Sequence, residues 1–117
     1  MKKFNKDDVI RQYRSKQYQF NCDFYIKSLD LYIEYHGTWT HHNKPFKNSI
    51  EDLEEVERLK NKSLELNFKG QRKLQYLNTI NIWTKVDPLK LQTFKKNKLN
   101  YKIFYNINQF LNWYNKI

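Results

Sequence analysis

Apolar and polar residues alternate in two neighbouring segments of the chain, and this pattern predicts a β-hairpin. In residues 20–26 the even-numbered positions are apolar, and in residues 29–36 the odd-numbered positions are apolar. A period of two is typical of strands that bury one face. Two short turns are compatible with this spacing, one formed by Lys27 and Ser28 and the other by Ser28 and Leu29.

Other patterns predict three further strands and four helical segments. The strands are expected at 8–14, 79–86 and 101–105, and the helices at 49–67, 71–78, 88–98 and 107–114. Ser49 and Asp52 have the spacing of a capping box, and Asp87 before Pro88 is typical of a helix start. We therefore expect an α/β fold in which a mixed sheet carries the hairpin and helices pack on the sheet.

The composition favours a globular domain inside a cell. The 117 residues suffice for one domain, and the 17% of aromatic residues supply the bulk of a small core. No apolar run approaches the roughly 18 residues of a membrane span, and the N-terminus lacks the apolar stretch of a signal peptide. The single cysteine, Cys22, excludes an internal disulfide and is expected in the core. These features predict one domain over residues 1–117, without a membrane partner, in the cytoplasm.

The chain is strongly basic, and its charge is unevenly distributed. It has 22 Lys and Arg residues against 12 Asp and Glu residues, a formal net charge of +10. Residues 49–69 hold four basic and six acidic residues, whereas residues 70–117 hold nine basic residues and one acidic residue. Part of the excess reflects residue usage, because 18 of the basic residues are Lys, Asn occurs 14 times and Ala is absent. The basic C-terminal third nevertheless favours a surface for nucleic acid.

The polar face of the hairpin carries the candidate chemistry. Asp23, Glu34 and His36 share this face because the alternation fixes their parity. Either turn places the Cβ atoms of Asp23 and Glu34 roughly 5 to 8 Å apart. Two carboxylates this close repel each other unless a cation lies beside them, and Mg²⁺ is a cation that carboxylate oxygens bind and that activates water. The alternative is a solvated strand face on which both carboxylates pair with Lys or Arg.

The hairpin and the residues after it resemble the active site of a nuclease superfamily. The segment CDFYIKSLDLYIEYHG at 22–37 is followed by TWTH at 38–41. This stretch resembles the PD-(D/E)XK, restriction-endonuclease-like superfamily. It is most similar to very-short-patch-repair endonucleases and their phage and bacterial relatives, which have D-F-Y-x-P, I-E-x-x-G and W-T-H patterns. Similarity to the phage relatives continues in WT at 83–84, DP at 87–88 and LNY at 99–101, so it runs from about residue 11 to residue 105.

The resemblance implies a metal-dependent DNA endonuclease with a restriction-endonuclease-like core. Asp23 and Glu34 would bind Mg²⁺, for which Mn²⁺ can substitute, and His36 stands where the motif often has a Lys that orients or deprotonates water. His41 would be a further catalytic residue. The implied partner is DNA, and the implied setting is the cytoplasm of a bacterial or phage-infected cell. The residues expected to contact DNA phosphates are Arg11, Arg14, Lys90, Lys95, Lys96 and Lys98.

Two departures from the family pattern keep a second hypothesis open. Lys27 stands where the family usually has Pro, which affects the turn. Relatives commonly have an N-terminal helix that supplies a further acidic residue, whereas little more than residues 1–6 precedes the first predicted strand. The alternative to an endonuclease is therefore a catalytically degenerate member that binds nucleic acid or another protein. A homodimer is also left open, because many nucleases of this fold cut both strands as dimers.

Overall fold

The computed structural model describes residues 3–37, 44–65 and 70–117, which form a mixed α/β structure, as predicted. The strands are β1 (Val9–Ser15), β2 (Tyr18–Ile26), β3 (Leu31–Tyr35) and β4 (Tyr101–Phe104). The helices are α1 (Ile50–Glu65), α2 (Gly70–Asn81), α3 (Asp87–Lys96) and α4 (Ile107–Lys116), and a π-helical segment, Ile82–Val86, joins α2 to α3. None of the helices in these ranges is long and apolar enough to cross a membrane.

The four strands form one sheet in the order β1, β2, β3, β4. The first three are antiparallel neighbours, and β4 runs parallel to β3. A parallel pair requires a long connection, and the stretch from α1 to α3 supplies it. The first four residues of β3 are all buried, because its side chains enter apolar clusters on both faces of the sheet.

Helices cover both faces of the sheet. On one face, the ring of Phe94 in α3 stacks between the rings of Tyr18 and Tyr101, with centroid distances of 4.2 and 4.7 Å. On the other face, Phe110 of α4 meets Phe104 edge-on at a centroid distance of 5.5 Å. We call these surfaces the α3 face and the α4 face. The predicted packing of helices on a mixed sheet is confirmed, with α3 against β2 of the hairpin and α4 against β4.

The alternation predicted for β2 inverts near Asp23. Phe24 belongs to the apolar cluster of the α4 face, whereas Cys22 belongs to the cluster of the α3 face. In the neighbouring strand, Gln12 adopts a left-handed conformation with a φ of 52°. Cys22 is therefore a core residue, as predicted, but it does not share a face with Phe24. Strand irregularities of this kind redirect side chains and are frequent beside active sites.

The connection between β2 and β3 is longer than the predicted two-residue turn. It consists of a 3₁₀ turn, Lys27–Leu29, followed by Asp30 in the left-handed conformation. The Asp8 carboxylate anchors this connection, because its oxygens accept hydrogen bonds from the amide and hydroxyl of Ser28 at 2.8 and 2.5 Å. The left-handed residue provides the reversal for which a shorter turn would need glycine or asparagine.

The strand predicted over 79–86 is wrong, because these residues are helical. Together with α3 they form one continuous helical stretch from Gly70 to Lys96. Thr79 and Trp83 are both buried, and their separation of four residues is a helical spacing. The alternation of apolar residues at 80, 82 and 86 hides this spacing in the sequence.

Pro88 explains why the π-helical segment lies where it does. Proline has no N–H, and inside an α-helix its ring clashes with the carbonyl four residues back. Immediately before it, the amide of Asp87 donates to the carbonyl of Ile82, five residues back, so the helix is locally widened. Asp87 has helical backbone angles, φ −63° and ψ −44°. The helix predicted over 88–98 is therefore confirmed as α3, but the predicted N-cap role of Asp87 is wrong, because helical backbone precedes it.

Ser49 caps the N-terminus of α1, as predicted. Its Oγ accepts a hydrogen bond from the amide of Asp52 at 3.1 Å. We expect Ser49→Ala to lower the free energy of unfolding by about 1 kcal/mol, as measured by urea denaturation. Ser49→Asp keeps an oxygen acceptor at the cap and is the matched control. An equal loss of stability in both variants would contradict the capping role.

Candidate active site

The hairpin brings Asp23 and Glu34 together. The ladder pairs Phe24 with Ile33, and the next position on each strand carries one of the two carboxylates. Here side-chain oxygens act as acceptors for the neighbouring strand. The amide of Asp23 donates to Oε1 of Glu34 at 3.1 Å, and the amide of Tyr35 donates to Oδ2 of Asp23 at 2.8 Å. An amide of each strand therefore donates to the carboxylate of the other strand, and continuing the register from Phe24 and Ile33 places Asp23 opposite Glu34.

Glu34 is the buried member of this pair, with an exposed fraction of 1%. Its Oε2 accepts a hydrogen bond from the hydroxyl of Tyr18 at 2.5 Å and lies 3.0 Å from Nζ of Lys90 on α3. Burial of a carboxylate is unfavourable unless it is paired and hydrogen-bonded. A cation and two donors meet that requirement here. Asp23 is only partly buried, so it is the carboxylate that a ligand reaches more easily.

The buried surroundings of Glu34 change the pKa values of Glu34 itself and of its neighbours Tyr18 and Cys22. Burial raises the pKa of the Glu34 carboxyl, while Lys90 and Tyr18 oppose this change because both stabilise the charged form. Burial and the neighbouring Glu34 raise the pKa of Tyr18, so its hydroxyl remains a proton donor. Burial also raises the pKa of Cys22 to about 12. Its thiol is therefore not a nucleophile at neutral pH.

The raised pKa of Glu34 predicts a pH dependence of stability. A carboxyl whose pKa is higher in the folded state stabilises the fold at low pH, and this contribution is lost as pH rises above about 4.5. Glu34→Gln removes this loss. We therefore expect Glu34→Gln to gain stability relative to the wild type as the pH is raised from below 4.5 to neutral. The measured quantity is the unfolding free energy of the variant minus that of the wild type. Urea denaturation at both pH values, with exposed Glu54→Gln as control, measures this difference, and a constant difference would contradict the assignment.

His36 lies two residues beyond Glu34 and is also buried, with an exposed fraction of 1%. Its Nδ1 is 3.6 Å from Oδ2 of Asp87, and its ring meets that of Tyr105 at a centroid distance of 5.7 Å. Asp87 and Lys90 are one helical turn apart. Glu34 with Lys90 and His36 with Asp87 are therefore neighbouring contacts between the hairpin and the helical stretch. The structure places the predicted base His36 against Asp87, a partner that the sequence analysis does not identify.

Comparisons with known proteins do not assign this chain to a family. No family model, curated protein or solved structure matches the chain. Membership of the PD-(D/E)XK superfamily therefore stays a prediction. So does the catalytic role of His41, which lies outside the described residues.

The basic residues predicted to contact DNA lie in different parts of the structure. Lys90 lies inside the candidate site, with 13% of its side chain exposed. Arg11 pairs across the ladder with Phe24 and lines a cavity on the α4 face. The end of α3 lies beside the β1–β2 turn, where the side chain of Asn97 donates to the carbonyl of Gln17 at 2.5 Å. The exposed basic residues at this end, which we call the basic end, are Arg14, Lys16, Lys95, Lys96 and Lys98.

The basic end lies near the two carboxylates. Lys95 follows Lys90 by five residues, which corresponds to a rise of roughly 8 Å along a helix. Tyr18, whose hydroxyl contacts Glu34, is the first residue of β2 after the turn. Exposed Lys and Arg side chains attract phosphates and release their counterions. Both α3, through Lys90, and the start of β2, through Tyr18, therefore connect the basic end to Glu34.

Lys90 and Tyr18 are site residues that the sequence analysis does not identify as such. Lys90 is predicted from the sequence only as a residue that contacts DNA, and Tyr18 is not predicted to have a role. One sequence signal points to Lys90, because it precedes the aromatic Phe94 by four residues and so lies on the same side of the helix. No comparable signal exists for Tyr18, since its contact with Glu34 depends on the tertiary pairing of β2 and β3.

Asp23 and Glu34 fit some metals better than others. Within 3–37, 44–65 and 70–117, no group of three or more His, Cys, Asp or Glu side chains is arranged to hold a metal ion. Mg²⁺ is commonly bound through one or two carboxylates, with water and substrate phosphate completing its coordination. A structural zinc site needs four protein ligands. The pair therefore fits Mg²⁺ or Mn²⁺ and fits a structural zinc ion poorly.

Proposed function

We propose that this protein is a metal-dependent DNA endonuclease whose metal-binding carboxylates are Asp23 and Glu34. The observation that carries the proposal is the placement of both carboxylates side by side on the hairpin, with Nζ of Lys90 3.0 Å from Glu34. The resemblance to the PD-(D/E)XK superfamily implies two carboxylates and a nearby Lys. In this proposal Lys90 supplies that ammonium group from α3, because the motif position itself is occupied by His36.

Each side chain then has a distinct part in phosphodiester hydrolysis. A bound Mg²⁺ would act as a Lewis acid and lower the pKa of a water molecule. The Tyr18 hydroxyl and the Asp23 amide hold the Glu34 carboxylate in place, while Asp23 presents its carboxylate from the more open side. The ammonium of Lys90 would donate a hydrogen bond to a phosphate oxygen or to the attacking water.

The basic end supports the choice of DNA as substrate. Three of its five exposed cationic side chains come from the end of α3, the helix that also carries Lys90, and two come from β1 and the β1–β2 turn. Neutralising phosphates with Lys and Arg makes binding strongly dependent on salt. The flanking phosphates would bind there, while the scissile phosphate reaches Asp23.

A specific observation favours a second candidate, a nucleic-acid-binding module without catalysis. Both oxygens of Glu34 already accept hydrogen bonds or pair with a cation within the protein. This network can stabilise the fold without a metal. In that function the basic end binds DNA, and the carboxylates only connect the hairpin to α3.

Conversion of supercoiled plasmid to nicked or linear DNA separates the two functions. We expect the wild-type chain to cleave the plasmid with Mg²⁺ or Mn²⁺ and EDTA to stop cleavage. A mobility-shift assay at low and high salt measures binding in the same samples. Salt-sensitive binding without cleavage would contradict the endonuclease and support the binding module. The absence of salt-sensitive binding would contradict both.

A further inference from the structure

The α4 face contains a cavity that the proposed function does not use. Its volume is about 530 Å³, which lies within the usual range for sites that bind small molecules. The phenyl rings of Phe4, Phe24 and Phe110 line it, together with the aliphatic side chain of Ile33. Glu34 and its partners lie on the α3 face, so the sheet separates this cavity from the candidate active site.

The position of α4 explains why the cavity exists. Phe110 packs on Phe104 of β4, so the helix covers the β4 side of this face. The β1 and β2 side, where Arg11 pairs with Phe24, is left as the floor of the cavity. The cavity is therefore the space between α4 and the β1–β2 pair.

The N-terminal segment forms the remaining wall, and it is held in place. Nζ of Lys3 donates to the carbonyls of Tyr114 and Ile117 at 2.5 and 3.0 Å, and its amide donates to the Tyr114 hydroxyl at 2.9 Å. The neighbouring Phe4 packs against the apolar cluster of the α4 face. The cavity is therefore bounded by three elements with defined contacts.

The charged residues of the cavity indicate the kind of ligand. Lys6 and Arg11 line it, and the described lining residues include no Asp or Glu. Arg11 lies directly across the ladder from Phe24, and both residues line the cavity. A guanidinium binds a carboxylate through two parallel hydrogen bonds, which an ammonium cannot do.

We infer that this cavity binds a small aromatic anion. A flat apolar body would lie against the phenyl rings of Phe4, Phe24 and Phe110, and a carboxylate on its edge would pair with Arg11. Lys6 would add a second positive charge at the same end. This inference is independent of the proposed endonuclease function, because the two sites use different faces of the sheet.

Calorimetric titration with 2-naphthoate, compared with the uncharged 2-naphthylmethanol, tests the inference. We expect the anion to bind at least about tenfold more tightly than the alcohol, because a hydrogen bond to a charged group adds this much affinity. Arg11→Gln should abolish that preference. Arg14→Gln, an exposed arginine on the same strand, is the matched control and should leave it unchanged.

Amide chemical shifts locate the bound probe. We expect changes at residues 4–11, 24, 33 and 107–110 on addition of 2-naphthoate, with urea denaturation showing that both Arg variants are folded. Equal affinities for the acid and the alcohol, equal effects of the two Arg substitutions, or no binding of 2-naphthoate would each overturn the inference. Shifts confined to residues outside this cavity would do so as well.

Discussion

A Glu34→Gln variant is expected to lose metal-dependent DNA cleavage by about 100-fold to 1000-fold, the usual loss when one preorganised charge-stabilising group is removed. The amide has the size of the carboxylate and keeps an oxygen that accepts the hydrogen bond from the Asp23 amide. It has no negative charge with which to hold a divalent cation. Initial rates of plasmid nicking at saturating Mg²⁺ measure the effect, and the salt-dependent affinity for DNA should not change.

Glu54→Gln on α1 is the control for this experiment. It removes one acidic charge from an exposed position far along the chain from the hairpin, and its nicking rate should equal that of the wild type. Nicking by Glu34→Gln at the wild-type rate would exclude the proposed site as the source of the activity.

Replacing Lys90 with methionine is expected to lower the free energy of unfolding by about 3 to 5 kcal/mol. The substitution removes the cation that lies 3.0 Å from Oε2 of Glu34 and leaves the buried carboxylate without a counter-charge. The double variant Lys90→Met with Glu34→Gln should recover most of this stability, because both members of the pair are then neutral. Urea denaturation of the two single variants and the double variant provides the coupling free energy.

The same pair predicts how the Lys90 substitution responds to pH. Protonation of Glu34 removes its charge, so Lys90→Met should be less destabilising in acid than at neutral pH. Lys90→Arg keeps the positive charge and is the matched control. Its free energy of unfolding should fall less than that of Lys90→Met at both pH values. A double variant as unstable as the sum of the two single variants would contradict the coupling.

The period-two pattern of the hairpin predicted that Asp23 and Glu34 lie close together, because the alternation fixes the face of each side chain and a short connection limits the register of the two strands. The same pattern did not reveal that a helix covers the polar face. Whether a strand face is solvated or buried depends on elements far away in sequence. Here α3 adds Phe94 and Lys90 to that face. Glu34 is therefore buried in an ion pair with Lys90 and does not lie on a solvated surface.

Two local features limited the prediction of the fold from sequence. The sequence predicts Pro88 as the first residue of a new helix, although it lies within a continuous helical stretch and its effect is absorbed by the π-helical segment. Gln12 adopts a left-handed backbone conformation that non-glycine residues seldom take. Such a conformation depends on the tertiary context, so the inversion of the strand faces near Cys22 and Asp23 has no sequence signal.

Mn²⁺ titration monitored by ¹⁵N NMR tests most directly whether Asp23 and Glu34 together hold a divalent cation, as we propose. Paramagnetic broadening should affect first the amides of residues 22–24 and 33–35, while those of α4, on the other face of the sheet, should remain sharp. Asp23→Asn should abolish this selective broadening. Broadening that spreads evenly over the acidic surface of α1, or that is the same in Asp23→Asn, would contradict the account.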